Sequence, residues 1–175
     1  MGTEKMFDLS GRVALVTGAA GSLGGAIATV YADAGADLLL VDIDGDGLHT
    51  KAKALERSGQ RVHPVVGSIG DIQLITELFG LLDREFGKID ILVNVAGPSK
   101  HGKPEEIDLA DVEYSVHHLV TARFFMCQQA GRRMLAAEIA FIVRTTDCRS
   151  SAAAMWRVSS SSVALRRLRQ RCAGG

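Results

Sequence analysis

Short apolar runs alternate along the chain with longer stretches of helical periodicity. Residues 13–16 form the first run, between Gly11 and Gly18. Residues 36–41, 62–66 and 89–93 form three more, and 139–143 a fifth. Runs this short, apolar at successive rather than alternate positions, are what strands covered on both faces require, as in a parallel sheet. Between them, residues 23–34 are Ala-rich and follow Gly21-Ser22, and residues 47–58 space Leu48, Ala52 and Leu55 for one helix face. Residues 71–86 begin on Asp71, a good N-cap, and set Ile72, Ile75, Leu78 and Leu82 along one side. Residues 109–135 read as one long helix. Strand and helix alternating in this way predict βαβ units with right-handed crossovers. The expected fold class is α/β: a doubly wound parallel sheet that stops after about five strands.

Composition then sets a boundary. Twenty basic residues balance twenty acidic ones in 175 residues, 47% of them hydrophobic, which excludes a disordered chain. The balance is uneven along the chain. Residues 1–143 hold 13 basic and 19 acidic residues, whereas residues 144–175 hold seven Arg against Asp147 alone. Two units are therefore expected: an α/β domain over 1–143, and a basic Arg/Ser-rich tail over 144–175, disordered or a single helix. The Arg166-Arg167-x-Arg169-x-Arg171 cluster lacks interleaved aromatics, so it reads as a solvated tail rather than a nucleic-acid or membrane surface. No apolar run is long enough for a membrane helix, and the start carries no secretory h-region, so the expected location is cytoplasmic. Cys127, Cys148 and Cys172 have no paired spacing, which predicts free thiols and no metal site. His117 and His118 are adjacent; on an α-helix they point about 100° apart and do not converge on a ligand.

The chemistry concentrates at the first strand-to-helix turn, in the residues VALVTGAAGSLGG over 13–25. A helix N-terminus presents unpaired N–H groups and partial positive charge, so it can hold a pyrophosphate. Glycines let the backbone approach the phosphates closely. Gly18, Gly21, Ser22, Leu23 and Gly24 are the residues expected at the phosphates. The next run ends at Asp42, where a Rossmann acid meets the adenosine ribose hydroxyl, with Ile43 beside it. The unit over 1–143 is therefore expected to be a Rossmann-like, dinucleotide-binding domain. Asp44 competes for the ribose role but lies past the strand end. A carboxylate at 42 repels a 2′-phosphate, and Ala19 and Ala20 add no base, so NAD(H) is favoured over NADP(H).

These residues resemble a family. Thr17-Gly18-Ala19-Ala20-Gly21-Ser22-Leu23-Gly24 is similar to the TGxxxGxG turn of short-chain dehydrogenases/reductases, and Ile91-Leu92-Val93-Asn94-Val95-Ala96-Gly97 to their fourth strand and NNAG motif. Residues 66–71 resemble the segment after their third strand. The resemblance covers residues 7 to about 143. It implies an oxidoreductase that moves hydride between a nicotinamide cofactor and an alcohol or carbonyl substrate. It also places Ser68 and Ile69 beside the adenine, and Asn94, Ala96 and Gly97 beside the cofactor.

The departures matter as much. Ser22 replaces the second motif glycine, Ser68 the usual Asp, and Val95 the second Asn. The family mechanism resembles acid catalysis by a Tyr whose phenol is lowered by a Lys four residues later. It adds a Ser that orients the substrate and an Asn on the long helix. Here Tyr31 and Tyr114 lack that Lys, no Lys follows Lys103, and Asn94 is the only Asn. Leu119 stands where the helix Asn is expected, and residues 144–147 where the Ser run is. Residues 158–165 loosely echo the catalytic stretch, with Val158 and Ser162 at the Tyr and Lys positions. No catalytic residue is assigned.

Two readings are open. One is an oxidoreductase gene whose product here is truncated or frame-shifted, with an incomplete oligomer interface and no turnover. The other is a non-catalytic NAD(H)-binding module, or a partner of a full-length relative. The expected ligands are the dinucleotide and, if the chain is active, a small-molecule substrate.

Overall fold

The computed structural model describes residues 8–56, 59–137, 140–144 and 156–158. Five strands are parallel: β1 (Val13–Thr17), β2 (Asp37–Asp42), β3 (Val62–Val66), β4 (Ile91–Asn94) and β5 (Ala140–Arg144). A sixth, β6 (Trp156–Val158), lies antiparallel to β5. The sheet order is β3-β2-β1-β4-β5-β6. The sequence marks no strand at 156–158, where only three residues pair. The rest of the basic tail, with Cys148, the Ser159–Ser162 run, the Arg166–Arg171 cluster and Cys172, lies outside the described residues.

The helices come after the strands in turn: α1 (Ser22–Asp33), α2 (Gly45–Leu55), α3 (Ile72–Glu85), α4 (Leu109–Val116) and α5 (Ala122–Ala136). Strand side chains alternate between faces, so each apolar run feeds two cores. Leu15, Leu39, Val41 and Leu92 face Ile75, Leu78, Phe79 and Leu82 of α3 and Met126 and Met134 of α5. Ala14, Val16, Leu38, Leu40 and Val93 face Ala28 and Ala32 of α1 and Leu48, Ala52 and Leu55 of α2. Pro64 has no N–H to give a ladder, and β3 that carries it is the edge strand.

At the N-terminal ends of β1 and β4, buried Asp90 joins the strands. Its carboxylate accepts from Arg12 Nη1 at 2.8 Å and from the Val13 N–H at 2.9 Å, and pairs with Lys88 Nζ at 2.9 Å. Among the described residues, no helix is long and apolar enough to cross a membrane.

The long helix expected over 109–135 is interrupted. Residues His117–Thr121 form a π-helical turn between α4 and α5. A π turn is wider than an α turn and re-aims its side chains. The expectation that His117 and His118 diverge is corrected here. His117 Nε2–H donates to the Gly70 carbonyl at 2.7 Å, and a Cβ on Gly70 would strike His118 Nε2. Both rings press on the loop after β3. His118 Nδ1–H donates back to the Tyr114 carbonyl at 2.9 Å.

Candidate functional site

Winding reverses at β1: β2 and β3 lie on one side of it, β4 and β5 on the other. In such sheets the crevice outside the C-terminal strand ends is where ligands bind. Gly18 follows β1 there with φ +72°, in the left-handed region that favours glycine. A Cβ at Gly18 would stand 2.9 Å from the Ala96 nitrogen. The turn is pinned by Gly18 N–H to the Val41 carbonyl, 2.8 Å, and Gly21 N–H to the Gly18 carbonyl, 3.2 Å. α1 then rises so close to the turn that a Cβ on Gly24 would overlap the Gly18 carbonyl.

The three helices after β1, β2 and β3 begin differently. Asp44 caps α2 by accepting from Gly47 N–H at 3.1 Å, and Asp71 caps α3 by accepting from Gln73 N–H at 2.8 Å and Leu74 N–H at 3.2 Å. At α1 the N-cap is Gly21, with no side-chain cap and no acid in the first turn. The first N–H groups of a helix have no intrahelical partner, and here no side chain of the cap covers them. That is the arrangement an anion needs.

Asp42 stands at the end of β2. One carboxylate oxygen accepts from the Ala20 N–H at 2.9 Å and the other from the Asp44 N–H at 3.0 Å. An ionised carboxylate offers about four acceptor positions, so it keeps capacity for two ligand hydroxyls. Asp44, the competing acid, has one carboxylate oxygen committed to its cap. The cleft between these elements has a volume of about 390 Å³. Among the described residues its lining holds two acids, Asp42 and Asp44, and neither Lys nor Arg.

Beyond β4, the Val95 and Ala96 N–H groups both donate to the Thr17 hydroxyl at 3.1 Å, and that hydroxyl faces the Val93 carbonyl at 3.3 Å. Arg123 of α5 holds the same two residues from the other side, through their carbonyls, at 3.0 Å to Ala96 and 3.1 Å to Val95.

Of the residues expected from the sequence, Gly18, Gly21, Asp42, Ile43, Ser68, Ile69, Ala96 and Gly97 line the cleft together. Ser22, Leu23 and Gly24 do not line it; they form the first turn of α1, where Gly24 is buried and Leu23 exposed. Asn94 does not reach the cleft either. It is buried, and its Nδ2 donates to Cys127 Sγ at 3.3 Å. Ser68 turns its hydroxyl onto the Gly70 N–H at 3.2 Å. Two residues were given no role by sequence reasoning. Thr17 carried a signal, as the first residue of the turn motif and the hydroxyl ending an apolar run. Arg123 carried none, since a helical Arg ordinarily reads as surface.

The catalytic side of the site is sparse. Tyr31 lies on α1, and burial pushes its phenol up, opposite to what an acid working near neutrality needs. The Tyr114 ring packs against His118, with centroids 4.1 Å apart. Leu119 sits in the π turn. Among the described residues, no three His, Cys, Asp or Glu side chains group as a metal site.

A strand, a glycine turn, an uncapped helix and an acid ending the next strand, all at the switch point of a parallel sheet, form the arrangement that dinucleotide-binding α/β proteins share. The short chain dehydrogenase family model matches residues 12–165, and the chain belongs to that family of oxidoreductases, which bind NAD or NADP and small-molecule substrates. It is 37% identical over 131 residues to D-threitol dehydrogenase of Mycolicibacterium smegmatis, across 75% of this chain and 50% of that one. Among solved structures it resembles L-sorbose reductase from Gluconobacter frateurii, complexed with NADPH and L-sorbose (29% identity, TM-score 0.75, 79% of this chain and 53% of that one). It also resembles an NAD+-bound xylitol dehydrogenase (27% identity, TM-score 0.74, 78% and 53%). The chain spans about half the length of the curated relatives it matches.

Proposed function

We propose that this chain carries the NAD(H)-binding half of an oxidoreductase acting on an alcohol or carbonyl, and does not itself supply the catalytic Tyr–Lys pair. The observation that carries the cofactor reading is the N-terminus of α1. It alone among the helices after β1, β2 and β3 lacks a side-chain cap, and it opens beside a cleft bounded by the Asp42 carboxylate. In this reading Gly18 and Gly21 clear the way for the pyrophosphate, and the N–H groups of Ser22, Leu23 and Gly24 hold it. Asp42 and Ile43 hold the adenosine ribose. Ser68 and Ile69 flank the adenine. Ala96 and Gly97 form the wall behind, with Asn94 supporting them from the core. The dinucleotide, when bound, accepts or donates the hydride.

NAD(H) is favoured over NADP(H) on charge. A 2′-phosphate carries about two negative charges, by analogy with a phosphorylated side chain, and would enter a cleft whose described lining has two carboxylates and no lysine or arginine. The relatives named above act on polyols or sugars by their names, which makes D-threitol and xylitol the first substrates to try.

The second half of the proposal rests on the residues after β5. The family match runs to residue 165, yet residues 145–175 contain neither Tyr nor Lys. Tyr31 has the wrong acidity, and Tyr114 is followed at the fourth place by His118, whose Nδ1 is bonded to the backbone. For the chain as it stands, the reading is a nucleotide-binding module, alone or as partner of a longer relative. NADH fluorescence titration tests the first half. Binding is expected, about tenfold weaker for Asp42→Ala, with NADPH weaker than NADH for the parent. No binding, with Asp42→Ala indistinguishable from the parent, overturns it. Hydride transfer from D-threitol or xylitol to NAD+ by this chain overturns the second half.

A further inference from the structure

We propose that Arg123 is a positioning residue of the dinucleotide cleft, setting the two peptides against which the Gly18 turn rests. This rests on the cofactor reading above. Arg123 is the second residue of α5 and is only 8% exposed. Its Nε–H donates to the Ala96 carbonyl at 3.0 Å and its Nη2–H to the Val95 carbonyl at 3.1 Å. Both residues lie past Asn94, the last residue of β4 paired to a neighbouring strand. Backbone that has left a ladder still needs partners for its polar groups. Here Thr17 of β1 takes the two N–H groups and Arg123 of α5 takes the two carbonyls.

The clamp reaches the turn through direct contact. The ideal Cβ position at Gly18 is 2.9 Å from the Ala96 nitrogen and 3.3 Å from its Cα, so the glycine backbone lies against Ala96 with little slack. A shift of Ala96 by a few tenths of an ångström moves the surface on which the turn sits. Gly97 completes the arrangement. A Cβ there would strike Arg123 Nη2 and stand 2.8 Å from Leu119 Cδ2, so the guanidinium lies directly behind the Ala96–Gly97 wall of the cleft. The choice of arginine comes from shape. A planar guanidinium presents several N–H donors in a fixed fork, which suits two successive carbonyls. Lysine offers one mobile ammonium, and glutamine a neutral amide on a shorter stem.

The test uses the full chain with Arg123→Gln and Arg123→Lys. Hydrogen–deuterium exchange of the free protein reads the positioning, and NADH titration reads its consequence. Arg123→Gln is expected to speed exchange of the 95–97 amides about tenfold, to leave β1, β2 and α3 amides unchanged, and to weaken NADH about tenfold. Arg123→Lys falls between parent and Gln, and covers the case in which Gln does not fold. Unchanged exchange at 95–97, or an increase spread evenly over the chain, overturns the positioning role. Faster local exchange with unaltered NADH affinity overturns the role toward the ligand. A parent that binds no NADH sinks the cofactor reading separately, while the exchange pattern still decides whether Arg123 sets these peptides.

Discussion

Replacing Thr17 by Val keeps the side chain's shape and removes one oxygen. Thr17 is fully buried, and its hydroxyl accepts from two backbone N–H groups, those of Val95 and Ala96, at 3.1 Å. In Thr17→Val both donors face a methyl group instead. An orphaned buried donor costs about 1–3 kcal/mol. Val95 and Ala96 are only half-buried, so water relieves part of this and each falls near the lower end. The expected loss is therefore about 2–3 kcal/mol for the pair. The third contact, to the Val93 carbonyl at 3.3 Å, is long and adds little. Thr17→Ser is the control: it keeps the hydroxyl and deletes one buried methyl, worth about 0.8 kcal/mol. Urea unfolding of the three proteins measures both. The expected order of stability is parent, then Ser, then Val. A Val variant as stable as the Ser variant would show that Thr17 serves by packing alone, and would refute the clamp between β1 and the end of β4.

Two further predictions concern stability away from the cleft. Burial by itself raises the Asp90 carboxyl, but hydrogen bonds from Arg12, Lys88 and the Val13 N–H outweigh it and hold its pKa below the ordinary value. A folded pKa below the unfolded value of about 3.9 stabilises the fold above that pH and is lost as pH falls through the folded value. Melting temperature against pH should therefore drop on acidification below about pH 4, and Asp90→Asn should flatten that part of the curve; parallel curves would refute it. Glycines divide by what surrounds them. Gly24→Ala puts a Cβ onto the Gly18 carbonyl, with backbone that cannot yield, and should cost about 3 kcal/mol or more by chemical denaturation. Gly131→Ala, within α5 with no atom of the described residues within 4 Å of the added Cβ, should stabilise by about 0.5–1 kcal/mol; a loss would mean the site is less open than it stands.

The parallel α/β class was legible because burial on both sheet faces forces continuous apolar runs, and Leu38–Val41 or Leu92–Val93 admit no other easy home. The helix after Asp71 was legible because its cap and its apolar spacing are local facts. The glycine turn after β1 was legible for the same reason: glycines at a strand-to-helix junction state a backbone requirement that no distant residue alters. What residues 13–25 and Asp42 determine by themselves is a glycine turn and an acid at the ends of two adjacent strands, facing one cleft.

Tertiary structure decided the rest. The helix over 109–135 looks continuous in sequence, yet the contact of His117 with the Gly70 carbonyl, 47 residues away, accompanies a π turn that local periodicity does not foretell. Asn94 reads as a cofactor residue by motif, but packing against Cys127 turns its amide into the core. Arg123 carries no signal in the sequence, and only the approach of α5 to the end of β4 makes its guanidinium a bracket for Val95 and Ala96. Each of these depends on which side chains meet across elements far apart in the chain. Local spacing predicts elements and turns because their hydrogen bonds close within a few residues. It does not predict partners whose distance is set by how those elements pack.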